Sequence, residues 1–191
     1  MLSWIGRPIL LSAIASSLLL SPQRAVDPAK STPAFVSTRD VDVSGDGTKA
    51  HFEYRLTRTD RGYSADLVAK TYKGETIWGD AWNMTEGDLQ VLMEEEGRKS
   101  VDEWVKKFFD NRPFTAHTFE KKKLTEADLV PEFMTEVAST LKVNPIELTS
   151  EILKEKTNFV FKYRSIWREA LVVLVYVPKY KQFVPYTGYG Y

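Results

Sequence analysis

Hydrophobic and polar residues alternate between positions 36 and 82, the pattern of β-strands with one buried face. Phe52, Tyr54 and Leu56 fall on one face of such a strand, since successive side chains of a strand point to opposite faces. Turn-forming residues separate the alternating segments, at 44–47, 59–62 and 73–75. The pattern therefore predicts an antiparallel meander of four short strands, the last of them at Ile77–Trp82.

From Thr85 onward the spacing of hydrophobic residues changes to that of helices. Thr85 and Ser100 each precede an acidic residue three positions later, which is a signature of a helix N-terminus. Pro131 and Pro145 suit the first turn of two further helices. About four helices are therefore predicted between residues 85 and 153. The residues of the last helix expected to face the core are Ile146, Thr149, Ile152 and Leu153.

The C-terminal region returns to strand patterns. Phe159, Phe161 and Tyr163 alternate with polar residues, and 171–177 is a continuous apolar run, which favours a central strand covered on both faces. Residues 36–191 are thus predicted to form a single α+β domain. It consists of an antiparallel sheet, made of the N-terminal meander and the C-terminal strands, with the central helices packed on one face.

The first 25 residues have the composition of an export signal. They contain no acid, and an apolar segment at 8–20 lies between Arg7 and Arg24. Thirteen helical residues extend about 20 Å, less than a hydrocarbon core of about 30 Å. We expect 1–25 to be a cleaved signal peptide, 26–35 a linker, and the mature protein periplasmic or secreted, with no stable transmembrane span. A cleaved organellar presequence is the alternative.

Composition excludes several chemistries. Lys plus Arg (26) equals Asp plus Glu (26), so no global field attracts nucleic acid, and no nucleic-acid partner is expected. The absence of cysteine removes disulfides and thiolate sites. No zinc-protease, serine-hydrolase or phosphate-loop motif occurs, and no cofactor is expected. The lysines at 121–123 are interpreted as a solvated linker.

The best-formed candidate binding site is the triplet Trp78, Asp80 and Trp82. These side chains share one face if 77–82 is a strand. Two indoles beside a carboxylate would stack on a sugar ring or cation while Asp80 binds a hydroxyl. The alternative is that both indoles pack in the core and Asp80 accepts an indole N–H.

Two weaker candidates lie at the ends of the predicted domain. Tyr180, Tyr186 and Tyr189 would contact a partner or glycan, or else cover the sheet edge. The first half of a calcium loop is matched by Asp40, Asp42, Ser44 and Asp46. His51 stands where such a loop needs its glutamate, so a plain hairpin turn is the better interpretation.

These features predict an exported, non-catalytic binding or accessory protein. Its partner would be a protein or glycan in the cell envelope or outside the cell. One alternative is a cofactor-free hydrolase of cell-wall or polysaccharide material, which needs an Asp/Glu pair about 5–9.5 Å apart. A second alternative is a carrier of a small lipophilic ligand, which needs an internal apolar cavity.

Overall fold

The computed structural model describes residues 34–44, 47–110, 118–165 and 170–190. The predicted signal peptide and most of the predicted linker lie outside these residues. The described chain contains two antiparallel four-stranded sheets and four α-helices, which confirms the α+β class. The strands are β1 (Phe35–Asp42), β2 (Lys49–Thr59), β3 (Gly62–Thr71), β4 (Thr76–Met84), β5 (Thr118–Lys122), β6 (Asn158–Ser165), β7 (Ala170–Val177) and β8 (Gln182–Gly190). The helices are α1 (Glu86–Glu95), α2 (Val101–Lys106), α3 (Pro131–Leu141) and α4 (Pro145–Lys154).

The first sheet is the predicted meander, in the order β1-β2-β3-β4. Phe52, Tyr54 and Leu56 lie fully buried on its inner face, as the alternation predicts. The outer face carries polar side chains, such as His51 and Arg55. The first sheet therefore has one face in the core and one toward solvent.

The second sheet has the order β5-β6-β7-β8 and is buried on both faces. Phe161, Tyr163 and Leu174 belong to the cluster that faces the first sheet. Val173 and Val175 belong to a second cluster, formed with α3 and α4. The molecule is thus layered, with the first sheet, the second sheet and the pair α3–α4 in that order. Helices α1 and α2 instead pack on the core between the sheets.

The four helices begin at the predicted caps. The Thr85 hydroxyl accepts the N–H of Asp88 at 3.1 Å, and Ser100 accepts the N–H of Glu103 at 3.2 Å. None of the described helices is long and apolar enough to span a membrane.

The buried face of α4 differs from the prediction. Leu148 and Ile152, one turn apart, are buried, whereas Ile146 is 79% exposed. At 100° per residue, Ile146 points about 160° away from Leu148. Of the four residues expected to face the core, Ile152 is buried and Thr149 and Leu153 are half-buried, whereas Leu148 takes the core position expected for Ile146.

Strand β5 was not predicted, because its lysines resemble a linker. In the structure Lys122 Nζ lies 3.0 Å from a carboxylate oxygen of Asp128, and Lys123 donates to the main-chain carbonyls of Leu153 and Glu155 at the end of α4. Lysine side chains are favourable beside the terminal carbonyls of a helix. Partners distant in sequence thus make a lysine-rich segment compatible with an edge strand.

Gly62 gives the first stability prediction. Its φ is +127°, and a Cβ there would collide with the carbonyl oxygen of Met84. We expect Gly62→Ala to lower the free energy of unfolding by more than about 3 kcal/mol in urea denaturation. Gly74 is the matched control, since its φ is +83° with nothing within 4 Å, and Gly74→Ala should cost about 1 kcal/mol. Equal losses would contradict the collision.

Asp128 gives a pH prediction. Hydrogen bonds from Lys122 and Thr125 lower the pKa of the Asp128 carboxyl from 3.8 to about 2. Because the folded pKa lies below the unfolded one, the stabilisation is present above pH 3.8 and is lost as the pH falls through about 2. An NMR titration should show Lys122→Met raising this pKa, while the control Lys121→Met leaves it in place. An unchanged pKa in Lys122→Met would disprove the contact.

Candidate functional site

Strand β4, at the edge of the first sheet, carries the predicted aromatic triplet. Trp78, Asp80 and Trp82 lie opposite Ala69, Leu67 and Ala65 of β3, so all three occupy the inner face. The two indoles are 7% and 5% exposed. A stacking platform needs an exposed ring face, and the burial of both rings agrees instead with packing in the core.

Asp80 connects the two sheets. The hydroxyl of Tyr163 on β6 donates to Asp80 Oδ2 at 2.7 Å, and the Tyr163 ring stacks on Trp82 with centroids 6.1 Å apart. The other carboxylate oxygen, Oδ1, accepts the N–H of Ala81 at 3.0 Å. Among the described residues, the indole N–H groups of Trp78 and Trp82 have no hydrogen-bond partner. The carboxylate thus binds a phenol and a main-chain amide, whereas the core-packing interpretation expected it to accept the indole N–H of Trp78 or Trp82.

The three candidate tyrosines do not form one surface with this triplet. Tyr186 is 1% exposed and belongs to the cluster with α3 and α4. Tyr180 is half-buried, and its hydroxyl donates to Glu147 Oε1 at 3.3 Å. Tyr189 lies opposite Leu171 in β8, but its side chain is outside what the structure describes. The two described side chains therefore hold the second sheet and α4 together.

The calcium candidates lie at the β1–β2 hairpin. Asp40 Oδ1 lies 2.8 Å from His51 Nδ1 across the strands, and Asp42 is paired in register with Lys49. Ser44 follows β1, while Asp46 lies outside the described residues. Within the described ranges, no three His, Cys, Asp or Glu side chains are grouped as metal ligands. The strand pairing on both sides agrees with a hairpin turn.

A groove of about 360 Å³ opens where β4, α3 and β8 meet. Of the predicted triplet and tyrosines, Trp78 is the residue found in the lining of this groove. The residues that line it are Thr76, Ile77, Trp78, Gly79, Val137, Thr140, Leu141, Gln182, Phe183, Val184 and Pro185. Its walls are mostly apolar, and no lining residue is titratable. A second concavity of about 370 Å³ is lined by Gly47, Thr48, Lys49 and Tyr72; the groove differs from it in being enclosed by three elements.

A β-bulge shapes the β4 wall of the groove. Trp78 pairs with Ala69 and Thr76 pairs with Lys70, which leaves Ile77 as an extra residue. A bulge places an additional residue in one strand and re-aims its side chains. The consecutive residues Ile77 and Trp78 are accordingly both buried and both line the groove.

The edge of β4 that no described strand pairs with also borders the groove. The N–H of Ala81 bonds to the Asp80 side chain, so it points away from β3 and toward the free edge. Main-chain groups of an antiparallel strand alternate in direction with period two. The N–H and C=O of Gly79 therefore point to the same open edge, at a residue that lines the groove.

Comparison with protein-family models, curated proteins and solved structures finds no match to this chain. Function therefore has to be inferred from its own geometry. Of the lining residues, the sequence pattern singled out Trp78; the α3 and β8 walls lie about 60 and 100 residues further along the chain. No local pattern brings such segments together.

Tyr163 gives a prediction about the link between the sheets. Tyr163→Phe removes the hydrogen bond to a carboxylate and should lower the free energy of unfolding by about 1–3 kcal/mol. Tyr54→Phe is the control, because the buried Tyr54 hydroxyl has no hydrogen-bond partner among the described residues. That variant should cost less than about 0.5 kcal/mol. Equal losses in urea denaturation would show that the Tyr163–Asp80 contact adds nothing.

Proposed function

We propose that this chain is an exported, non-catalytic binding protein that holds a segment of a partner protein in the groove between β4, α3 and β8. The supporting observation is the composition of the lining, which offers apolar contact and backbone hydrogen bonds but no titratable side chain. A hydrolase needs a positioned acid, base or nucleophile in its cleft. The groove supplies surface for recognition and lacks the groups for proton transfer.

A protein segment fits this groove better than a glycan. Glycan binding of the kind first considered needs an exposed indole face, and both tryptophans of β4 are buried. An extended peptide can instead add to a free strand edge, with its backbone bonded to the edge and its side chains in the adjoining groove. Gly79 supplies the edge, and the half-exposed Leu141 supplies apolar surface.

The hydrolase alternative has weaker support. Glu147 and Glu151 both contact Lys179, and hydrogen bonds from lysines lower the pKa of each carboxyl. A general acid needs a raised pKa. Burial raises the pKa of Asp66, but Asp66 lies opposite Ala81 on the outer face of the first sheet, away from the groove.

The lipophilic-carrier alternative needs space between the layers. Phe52 instead contacts four other phenyl rings there, with centroids 5.0–6.1 Å apart. The four rings belong to Phe109, Phe119, Phe161 and Phe183. A ligand in this part of the core would have to displace packed rings, at a cost of several kcal/mol.

The proposal is tested by site-specific photo-crosslinking in the source cells. A photoreactive residue at Thr140, an exposed groove position, should crosslink one protein in the envelope or medium fraction. The same residue at Thr135, exposed on α3 but outside the lining, is the matched control. N-terminal sequencing of the recovered chain should begin near residue 26.

Three outcomes would contradict the proposal. Identical crosslinks from Thr135 and Thr140 would show that the groove is not the contact. Crosslinks to glycan alone would show that the partner at the groove is a glycan and not a protein. An intact Met1 on chain recovered from the soluble interior of the cell would disprove export, whatever the groove binds.

A further inference from the structure

One end of the groove is basic. Lys142 directly follows the lining residue Leu141, and Lys181 directly precedes the lining residue Gln182. Both side chains are exposed, and neither forms an ion pair with a described residue. The lysines at 106, 107, 122, 154, 162 and 179 do form ion pairs. The two groove lysines therefore keep their charge available for a ligand.

The two lysines lie at the same end because of how α3 runs along β8. The N–H of Val130, just before α3, donates to the carbonyl of Tyr186 at 3.1 Å. From there α3 extends about 16 Å to Leu141, at 1.5 Å per residue. Strand β8 covers about 13 Å from Tyr186 back to Gln182, at 3.3 Å per residue. Since Leu141 and Gln182 both line the groove, Lys142 and Lys181 meet at one end, here called the lysine end.

Strand β4 begins at this lysine end. Trp78 and Phe183 line the groove together. Further along β4, the ring of Trp82 stacks on the ring of Tyr163. Tyr163 pairs with Val172 on β7, and Val172 pairs with Gly188 on β8. Strands β4 and β8 therefore run in the same direction, and Thr76 lies near Gln182. The acids at this end are Glu75, which precedes Thr76, and Glu147 and Glu151 of α4, which contact Lys179 in the β7–β8 turn. Lys142 and Lys181 are cations at this end that no described carboxylate pairs.

The backbone of both lysines is left-handed, with φ of 56° at Lys142 and 52° at Lys181. These are the two non-glycine residues with positive φ among those described. Glycine is the usual residue at such positions. Both turns that flank the groove therefore carry lysine, although glycine would adopt this conformation at a lower cost.

Resting on the proposed function, we infer that the groove binds an extended peptide whose apolar residues are followed by a carboxylate near or at its C-terminus. A strand that adds antiparallel to β4 at Gly79 runs toward Thr76. Its C-terminal end then reaches Lys142 and Lys181, which attract an aspartate, a glutamate or the terminal carboxylate. Its apolar side chains lie against Leu141, the half-exposed apolar residue that α3 contributes to the lining.

The test uses the mature protein and a defined probe, the peptide acetyl-Thr-Val-Leu-Val-Asp-Asp-amide. NMR shift changes should map to Gly79, Thr140 and Gln182. Replacing the two aspartates of the probe by asparagines should weaken binding about three- to tenfold. Lys142→Gln combined with Lys181→Gln should weaken it by a similar factor, with unchanged circular dichroism, and Glu75→Gln should strengthen it about twofold.

The controls separate this inference from the proposed function. Lys121→Gln combined with Lys156→Gln removes two exposed charges elsewhere and should leave the affinity unchanged. Acetyl-Thr-Val-Leu-Val with a free C-terminus tests the terminal carboxylate as the source of the charge, and binding at the same site supports the inference. Equal affinity for a dilysine probe or for the reversed sequence would overturn it. Binding of decanoate but not of any peptide would overturn it in favour of a lipid ligand.

The experiments give different results if the preference for a carboxylate is wrong and if the groove is not the binding site. Crosslinking of a protein at Thr140 with no preference for acidic probes would keep the groove as the contact and reject the carboxylate. Shift changes that map outside β4, α3 and β8 would reject the groove itself.

Discussion

The fold depends on one constraint, namely that the second sheet must be covered on both faces. Val172 and Leu174 of β7 face the first sheet, while Val173 and Val175 face α3 and α4. Burying a side chain of this size stabilises the fold by about 1.5–3 kcal/mol. The second sheet therefore needs both the first sheet and the pair α3–α4 to cover its faces. The first sheet and α3 therefore approach β8 from opposite sides. The groove lies at the edge where these two covers meet.

Local patterns predicted the elements that carry their own signal. Alternation identified β2 through Phe52 and Tyr54, and Thr85 marked the start of α1 because its hydroxyl caps the helix whatever lies further away. Strand β5 was missed because the partner of Lys122 is Asp128 and those of Lys123 are carbonyls of α4. Sequence spacing likewise gives the face of Trp82 but not its contact with Tyr163, which is 81 residues further along the chain.

On β4, a protected part of the strand edge lies next to an exposed part. Asp80 uses one oxygen for Tyr163 of the other sheet and the second for the N–H of Ala81. A side chain that occupies an edge amide blocks strand addition at that residue. Two residues earlier, Gly79 has no side chain to block its edge, and the bulge leaves Ile77 as an extra residue that lines the groove. The same strand thus closes one part of its edge and leaves the part beside the groove accessible.

The distribution of charge allows recognition and stability to change independently. The apolar clusters on the two faces of the second sheet hold the layers together, whereas exposed ion pairs each contribute about 0–1 kcal/mol. Lys142 and Lys181 lie outside both clusters and outside the described ion pairs. Their charges therefore contribute little to the fold, about 0.3–1 kcal/mol from Lys142 as the C-cap residue of α3. A fold held by apolar contact can therefore carry cations beside a groove at the small cost of two left-handed residues, so the charge beside the groove can change without loss of the fold.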